Sequence, residues 1–223
     1  MFLQTGFSFA PLSVIISIGD RMYSLKEDTM AELEIKKSRF VCYLHKSFSE
    51  ADAKEFIQQI KKLHPNARHH CYAFIIGEQN ELQRSNDDGE PQGTAGVPML
   101  ECLANRQMQD TVAVTVRYFG GIKLGAGGLI RAYSKSVSNA LDQAVITQKQ
   151  KRLVYSMTFS YELIGKLDHY FRQNEVAVLD KDYGEQVTYL WMCKEPLDAD
   201  MAEITNGRFL PEFIEERIVD VEV

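Results

Sequence analysis

Residues 111–133 read TVAVTVRYFGGIKLGAGGLIRAY, from Thr111 to Tyr133, and this stretch decides the fold. Thr111–Phe119 is almost wholly apolar and rich in β-branched residues, as a strand buried on both faces in the middle of a sheet would be. Five glycines follow between Gly120 and Gly128. A helix is then expected from about Ala126 to Thr147. Leu129, Ile130, Tyr133, Val137, Leu141 and Val145 form its buried stripe, with Arg131, Lys135 and Asp142 off it. Strand, glycine-rich turn and helix N-terminus in this order bring bare amides and the positive helix end together, which suits an anion. Known nucleotide patterns do not fit. Gly120 to Gly125 runs on into Ala126-Gly127 where a P-loop has Lys-Ser/Thr, and Gly125-Ala126-Gly127 runs on into Gly128-Leu129-Ile130. The plainer explanation is that the glycines permit a tight turn and close packing of helix on sheet.

Charge around the turn says more than the glycines. From Thr111 to Leu141 the basic residues are Arg117, Lys123, Arg131 and Lys135, and no Asp or Glu occurs. Arg131 and Lys135 share one helix face. A local positive face is a footprint for RNA or an acidic partner, against the alternative of an ordinary solvated face. The whole chain has 223 residues and a formal net charge of -6, which argues against a non-specific nucleic-acid coat.

Upstream, Glu34–Leu44 reads as a first strand. Ser49 reads as an N-cap, and Ala53, Phe56, Ile57, Ile60 and Leu63 mark a helix over Glu50–Leu63, ended by Pro65 and Asn66. His69–Ile76 is a second strand. The polar run Gly77–Gly96 reads as a long functional or mobile loop, and Val97–Ala104 as a short helix. Downstream, the charged Gln148–Arg152 reads as a linker. Strands at Val154–Tyr161, Val176–Asp182, Gln186–Cys193 and Phe213–Glu222, with helices at Glu162–Gln173 and Ala199–Thr205, give the order βαββαβ of a ferredoxin-like unit of about 70 residues. The division is thus an extension over 1–27, a first domain over 28–147, a linker over 148–152 and a second domain over 153–223, in an α/β (α+β) protein.

The apolar opening, residues 1–21, carries no Lys or Arg before Arg21, so it lacks the positive start of a secretory signal. An extension or a start assigned too far upstream is the expectation, and a cytoplasmic location with no membrane partner. Cys42, Cys71, Cys102 and Cys193 show no C-x-x-C pair, so reduced buried thiols are expected. His69 and Cys71 share a strand face, but two ligands are too few for a structural zinc site, so no metal and no cofactor are expected. Asp87, Asp88 and Glu90 offer carboxylates with no defined separation, and a capped turn explains them more simply. No nucleophile elbow or zinc-protease motif is present, so no catalytic residue is assigned.

Three blocks carry a resemblance: Ala67-Arg68-His69-His70-Cys71, Asn86–Gly96 (NDDGEPQGTAG) and Val116–Tyr133, with Ile35–Phe40 (IKKSRF) fitting as well. In this order they resemble the signature of the IMPACT family, strongly over about Glu34–Ala144 and more loosely to the C-terminus, where bacterial YigZ-type members carry a second small domain. The resemblance implies an N-terminal domain with the fold of the second domain of ribosomal protein S5, which contains a left-handed βαβ crossover, unusual among such units. It implies a C-terminal domain like domain V of elongation factor G. It also implies a link to translation or its regulation, through RNA, the ribosome or a translation factor, though fold kinship is only an analogy for function. Eukaryotic relatives carry an RWD domain that this chain lacks. The candidate binding residues are Arg39, Arg68, His69, His70, Asp87, Asp88, Glu90, Arg117, Tyr118, Gly120, Gly121, Lys123, Gly125, Gly127, Gly128, Arg131 and Lys135. Of these, the Arg and Lys side chains and the Gly120–Gly128 amides would meet phosphates. A phosphotransfer enzyme with a carboxylate-held Mg²⁺, and a protein-docking module without nucleic acid, are the competing readings.

Overall fold

The structure, a computed structural model, describes residues 22–223, so the readings of residues 1–21 lie outside it. One sheet has the order β2-β3-β6-β4-β5, with β2 Thr29–Ile35, β3 Ser38–Lys46, β4 His69–Ile76, β5 Leu82–Asn86 and β6 Thr111–Tyr118. All neighbours are antiparallel. The Thr111–Tyr118 strand is central, as its composition requires. Alternation sorts its side chains. Val112, Val114 and Val116 join the core under α1 (Glu50–Leu63), while Ala113 joins the core under α2 (Gly96–Asn105) and α3 (Ala126–Leu141). Ser49 caps α1 by accepting from the Asp52 N–H at 3.2 Å. On that helix Phe56, Ile57 and Ile60 are buried, each stabilising by roughly 2 kcal/mol.

The second sheet contains β1 Tyr23–Leu25, β7 Ile146–Phe159, β8 Ala177–Tyr183, β9 Val187–Cys193 and β10 Glu212–Glu222. Its order β10-β7-β9-β8, all antiparallel, is the ferredoxin-like arrangement. A 3-10 turn, Tyr161–Leu163, leads into α4 (Ile164–Gln173), and α5 (Asp198–Thr205) precedes β10. Tyr155, Phe159, Leu167, Phe171, Tyr189 and Trp191 form its core.

Several boundaries differ from the sequence reading. Gln148–Arg152 is not a free linker: it lies inside β7, where Gln150 pairs with Val219 and Arg152 with Arg217. Residues 23–25 are not an appended extension, because β1 pairs with β7 and Leu25 is fully buried. The single strand expected over 34–44 is a hairpin turned at Lys36-Lys37, and the loop expected over 77–96 contains β5. Helix α3 stops at Leu141, and Ile130, placed in its buried stripe, is exposed.

Candidate functional site

Antiparallel register gathers the signature blocks at one end of the first sheet. Arg39 stands opposite Tyr118, Phe40 opposite Arg117, His69 opposite Arg117 from the other side, and Tyr72 opposite Asn86. The starts of β3 and β4 thus meet the ends of β5 and β6, with the 87–95 and 119–125 loops above them. Gly120 ties the two ends together. A Cβ there would collide with the Lys37 carbonyl, and its N–H donates to Ser38 Oγ at 3.2 Å.

On the α3 side the centre is an internal ion pair. Arg117 Nη1 donates to Glu90 Oε1 at 2.7 Å, and the Tyr133 hydroxyl donates to the same oxygen at 2.8 Å. The two charged side chains are only 7% and 4% exposed. Burial pushes the Tyr133 hydroxyl and the Cys71 thiol far up, so both stay protonated. Cys71 Sγ donates to the Asp87 carbonyl. Asp87 itself accepts the N–H groups of Gly93, Ala95 and Gly96 at 2.8–3.0 Å, closing the loop onto the start of α2. Burial raises its carboxyl, but these three donors outweigh it and hold it below the ordinary range.

On the α1 side a second polar group forms. Asp88 accepts from Lys61 Nζ at 2.9 Å and from the His70 N–H at 2.7 Å. Burial raises the Asp88 carboxyl, and these donors override it to leave it lowered. The His70 ring meets the His64 carbonyl, and the His64 ring bridges the Tyr43 and Tyr118 hydroxyls at 2.7 and 2.8 Å. Burial, then the neighbouring His70 and Arg39, lower the His64 pKa, so the neutral ring is favoured. Arg39 stacks on Tyr118 with its guanidinium 4.8 Å from the ring centre.

What reaches solvent is the glycine loop. Phe119, Gly121, Ile122, Lys123, Gly125 and Gly127 are exposed, as are Arg131 and Lys135 on α3. Gly125 starts α3 with φ 73 and no side chain caps the helix, so its first amides face outward. A cleft of about 280 Å³ lies among Glu90, Arg117, Phe119, Lys123 and Leu124.

With the geometry in place, kinship can be read. The chain is 45% identical over 190 residues to "IMPACT family member YvyE" of Bacillus subtilis (strain 168), covering 83% of this chain and 88% of that protein. The chain belongs to the IMPACT family. The Impact N-terminal domain matches residues 36–141, and a Domain of unknown function (DUF1949) matches residues 157–208. "IMPACT family member YigZ" of Escherichia coli (strain K12) is 39% identical over 152 residues, 67% of this chain and 74% of that protein. A solved structure described as "Crystal structure of an hypothetical protein" superposes with a TM-score of 0.56 at 32% identity, covering 88% of this chain and 98% of that one. The IMPACT layout of a ribosomal protein S5 domain 2-like domain followed by a ferredoxin-like domain is the one described above. None of these names denotes an enzyme. Among the described residues no helix is long and apolar enough to cross a membrane.

The candidate residues of this IMPACT protein therefore divide in three. Arg117, Glu90 and Asp87 build the loop platform from inside, so Arg117 is corrected from a phosphate contact to a buried strut. Asp88, His69, His70, Tyr118 and Arg39 brace its flank. His69 Nδ1 meets the Asp88 carbonyl at 3.0 Å, and Arg39 pairs with Glu32 at 3.3 Å. Lys123, Arg131 and Lys135, with Gly121, Gly125 and Gly127, present outward. Gly120 and Gly128 are packing positions, Gly128 against Leu124. Arg68 is exposed at the start of β4. Sequence reasoning missed Lys36 and Lys37, which the hairpin turn sets against Gly120, and the exposed Phe119, Ile122 and Ile130. Two adjacent lysines before a strand were the available signal.

Proposed function

We propose that this IMPACT protein is a non-enzymatic binding protein of the translation apparatus, and that the end of its first sheet meets the phosphates of structured RNA on the ribosome. One observation carries the reading. The side chains of Lys36 and Lys37 on the β2–β3 turn, Lys123 in the glycine loop, and Arg131 and Lys135 along α3 are exposed without a side-chain partner among the described residues. Every carboxylate of the 87–90 loop is meanwhile turned inward onto a donor. Cations left free and anions consumed is the charge pattern of a phosphate-facing surface. The same consumption weighs against phosphotransfer, whose Mg²⁺ needs a carboxylate that Asp87, Asp88 and Glu90 do not offer.

Co-sedimentation with ribosomes and separated subunits over ~50 to ~200 mM salt is the test, beside a Lys123→Glu/Arg131→Glu/Lys135→Glu variant. Binding that falls steeply with salt and is lost in the variant is expected. Absence of binding at the lowest salt, or binding that the variant retains, overturns the proposal.

A further inference from the structure

Phe119 is the residue that the phosphate reading leaves unexplained. It follows the central strand directly, at the mouth of the 280 Å³ cleft, and is 55% exposed. One side of the ring is already occupied: the Arg117 guanidinium lies 5.6 Å from its centre, as it does 5.5 Å from that of Phe40. Arg117 is in turn fixed by Glu90 and reaches Ser38 Oγ at 3.4 Å. The ring thus rests on a buried, immobile cation and shows its remaining surface to solvent.

We propose that Phe119 is a stacking platform for an unpaired base of single-stranded RNA, with Lys123 and the uncapped amides at the start of α3 taking the flanking phosphates. The inference rests on the phosphate-facing reading of this end of the sheet and names the kind of RNA it takes. Three features point to a base instead of an apolar protein side chain. The cation that lines the cleft with the ring, Lys123, is exposed, as are Lys36 and Lys37 on the hairpin turn whose backbone meets Gly120. Glu90, the acidic group lining the cleft, is held by Arg117 and Tyr133. The cleft is small, at about 280 Å³. Base-on-aromatic stacking tolerates any base, because each has a π face, and it needs the base unstacked from its neighbours.

The experiment is fluorescence anisotropy of the full chain with three labelled probes: a mixed-sequence single-stranded RNA 12-mer, its 12-base-pair duplex, and a strand of the same length with abasic positions. Wild type, Phe119→Ala, Phe119→Trp and Lys123→Glu/Arg131→Glu are compared. Expected is tightest binding to the intact single strand. Phe119→Ala weakens it by about 5- to 100-fold with the salt slope unchanged. Phe119→Trp keeps the affinity, and its new indole is quenched on binding, whereas the emission of the fully buried Trp191 is unchanged by binding. If Phe119→Ala binds the single strand like wild type while Lys123→Glu/Arg131→Glu does not, stacking is wrong and the phosphate-facing reading survives. Equal affinity for the abasic strand overturns stacking as well. If wild type binds none of the probes at low salt, the stacking proposal falls, and ribosome co-sedimentation decides separately whether the phosphate-facing reading stands.

Discussion

Glu90 and Arg117 are 27 residues apart in sequence and 2.7 Å apart in space, which shows what single residues could and could not disclose. The basic character of Arg117 was legible. Its burial was not, because the carboxylate that neutralises it comes from another segment. A charged residue inside an otherwise apolar strand was the clue, since an interior position demands a partner. Removing that partner tests the pair. Glu90→Ala leaves a cation buried and should lower stability by about 3–5 kcal/mol in urea denaturation, whereas Arg117→Met/Glu90→Leu should recover much of the loss. A loss below about 1 kcal/mol would mean that the cation reaches water. Asp87 gives a pH signature. Its folded pKa lies below the usual value of 3.8, so its contribution is present above that pH and is lost as pH falls through the folded pKa. The difference in urea midpoint between wild type and Asp87→Ala should stay level from about pH 7 to 5 and shrink below pH ~4. A difference that grew on acidification would reverse the assignment.

At the scale of elements, periodicity and caps placed α1, β4, β6 and β9 to within a residue or so, because each buries a regular face. The pieces that stayed hidden lack such a face. Strand β5 reads LQRSN, an edge strand whose residues are partly or fully exposed. The β2–β3 turn is a two-residue hairpin with φ 47 at Lys36 and φ 64 at Lys37. Both central residues are left-handed there, a conformation that favours Asn-Gly, so two lysines gave no turn signal. That mismatch has a consequence. Lysine in the left-handed region costs about 1 kcal/mol per residue, and functional positions are where such local conflicts persist. Lys36→Asn/Lys37→Gly should therefore raise thermal stability while lowering affinity for ribosomes or RNA. A thermal melt and a binding titration on the same sample decide it. If stability rises and affinity stays level, the hairpin lysines are not part of the binding face.

At the scale of the molecule, the linker reading failed for a physical reason: a polar, charged run looks like a connection, yet it is a strand. Gln148–Arg152 is polar because much of that part of β7 meets solvent on either side of the ladder. Its backbone groups are nevertheless paired, with β10 throughout and with β1 at Gln148. The two family domains are thus joined by a continuous strand. Around its first half sit Leu25, Met108 and Ile146, which pack with the first domain's core. The Lys46–Asp220 pair at 2.9 Å joins β3 of the first sheet to β10, and Lys26, just after β1, pairs with Glu222 of β10. Ion pairs this exposed contribute little, so the coupling rests on the shared ladder and the apolar packing beneath it. The chain carries its own reporters. Trp191, the only tryptophan, is buried in the second core, while Cys42, Cys71 and Cys102 are buried in the first. In a urea titration, Trp191 fluorescence and pulse labelling of those three thiols should give coincident midpoints, as one cooperative unit requires. If the thiols open at lower urea than the tryptophan, the first half of β7 separates from the sheet before the second core melts. The strand would then act as the hinge between domains that its composition first suggested.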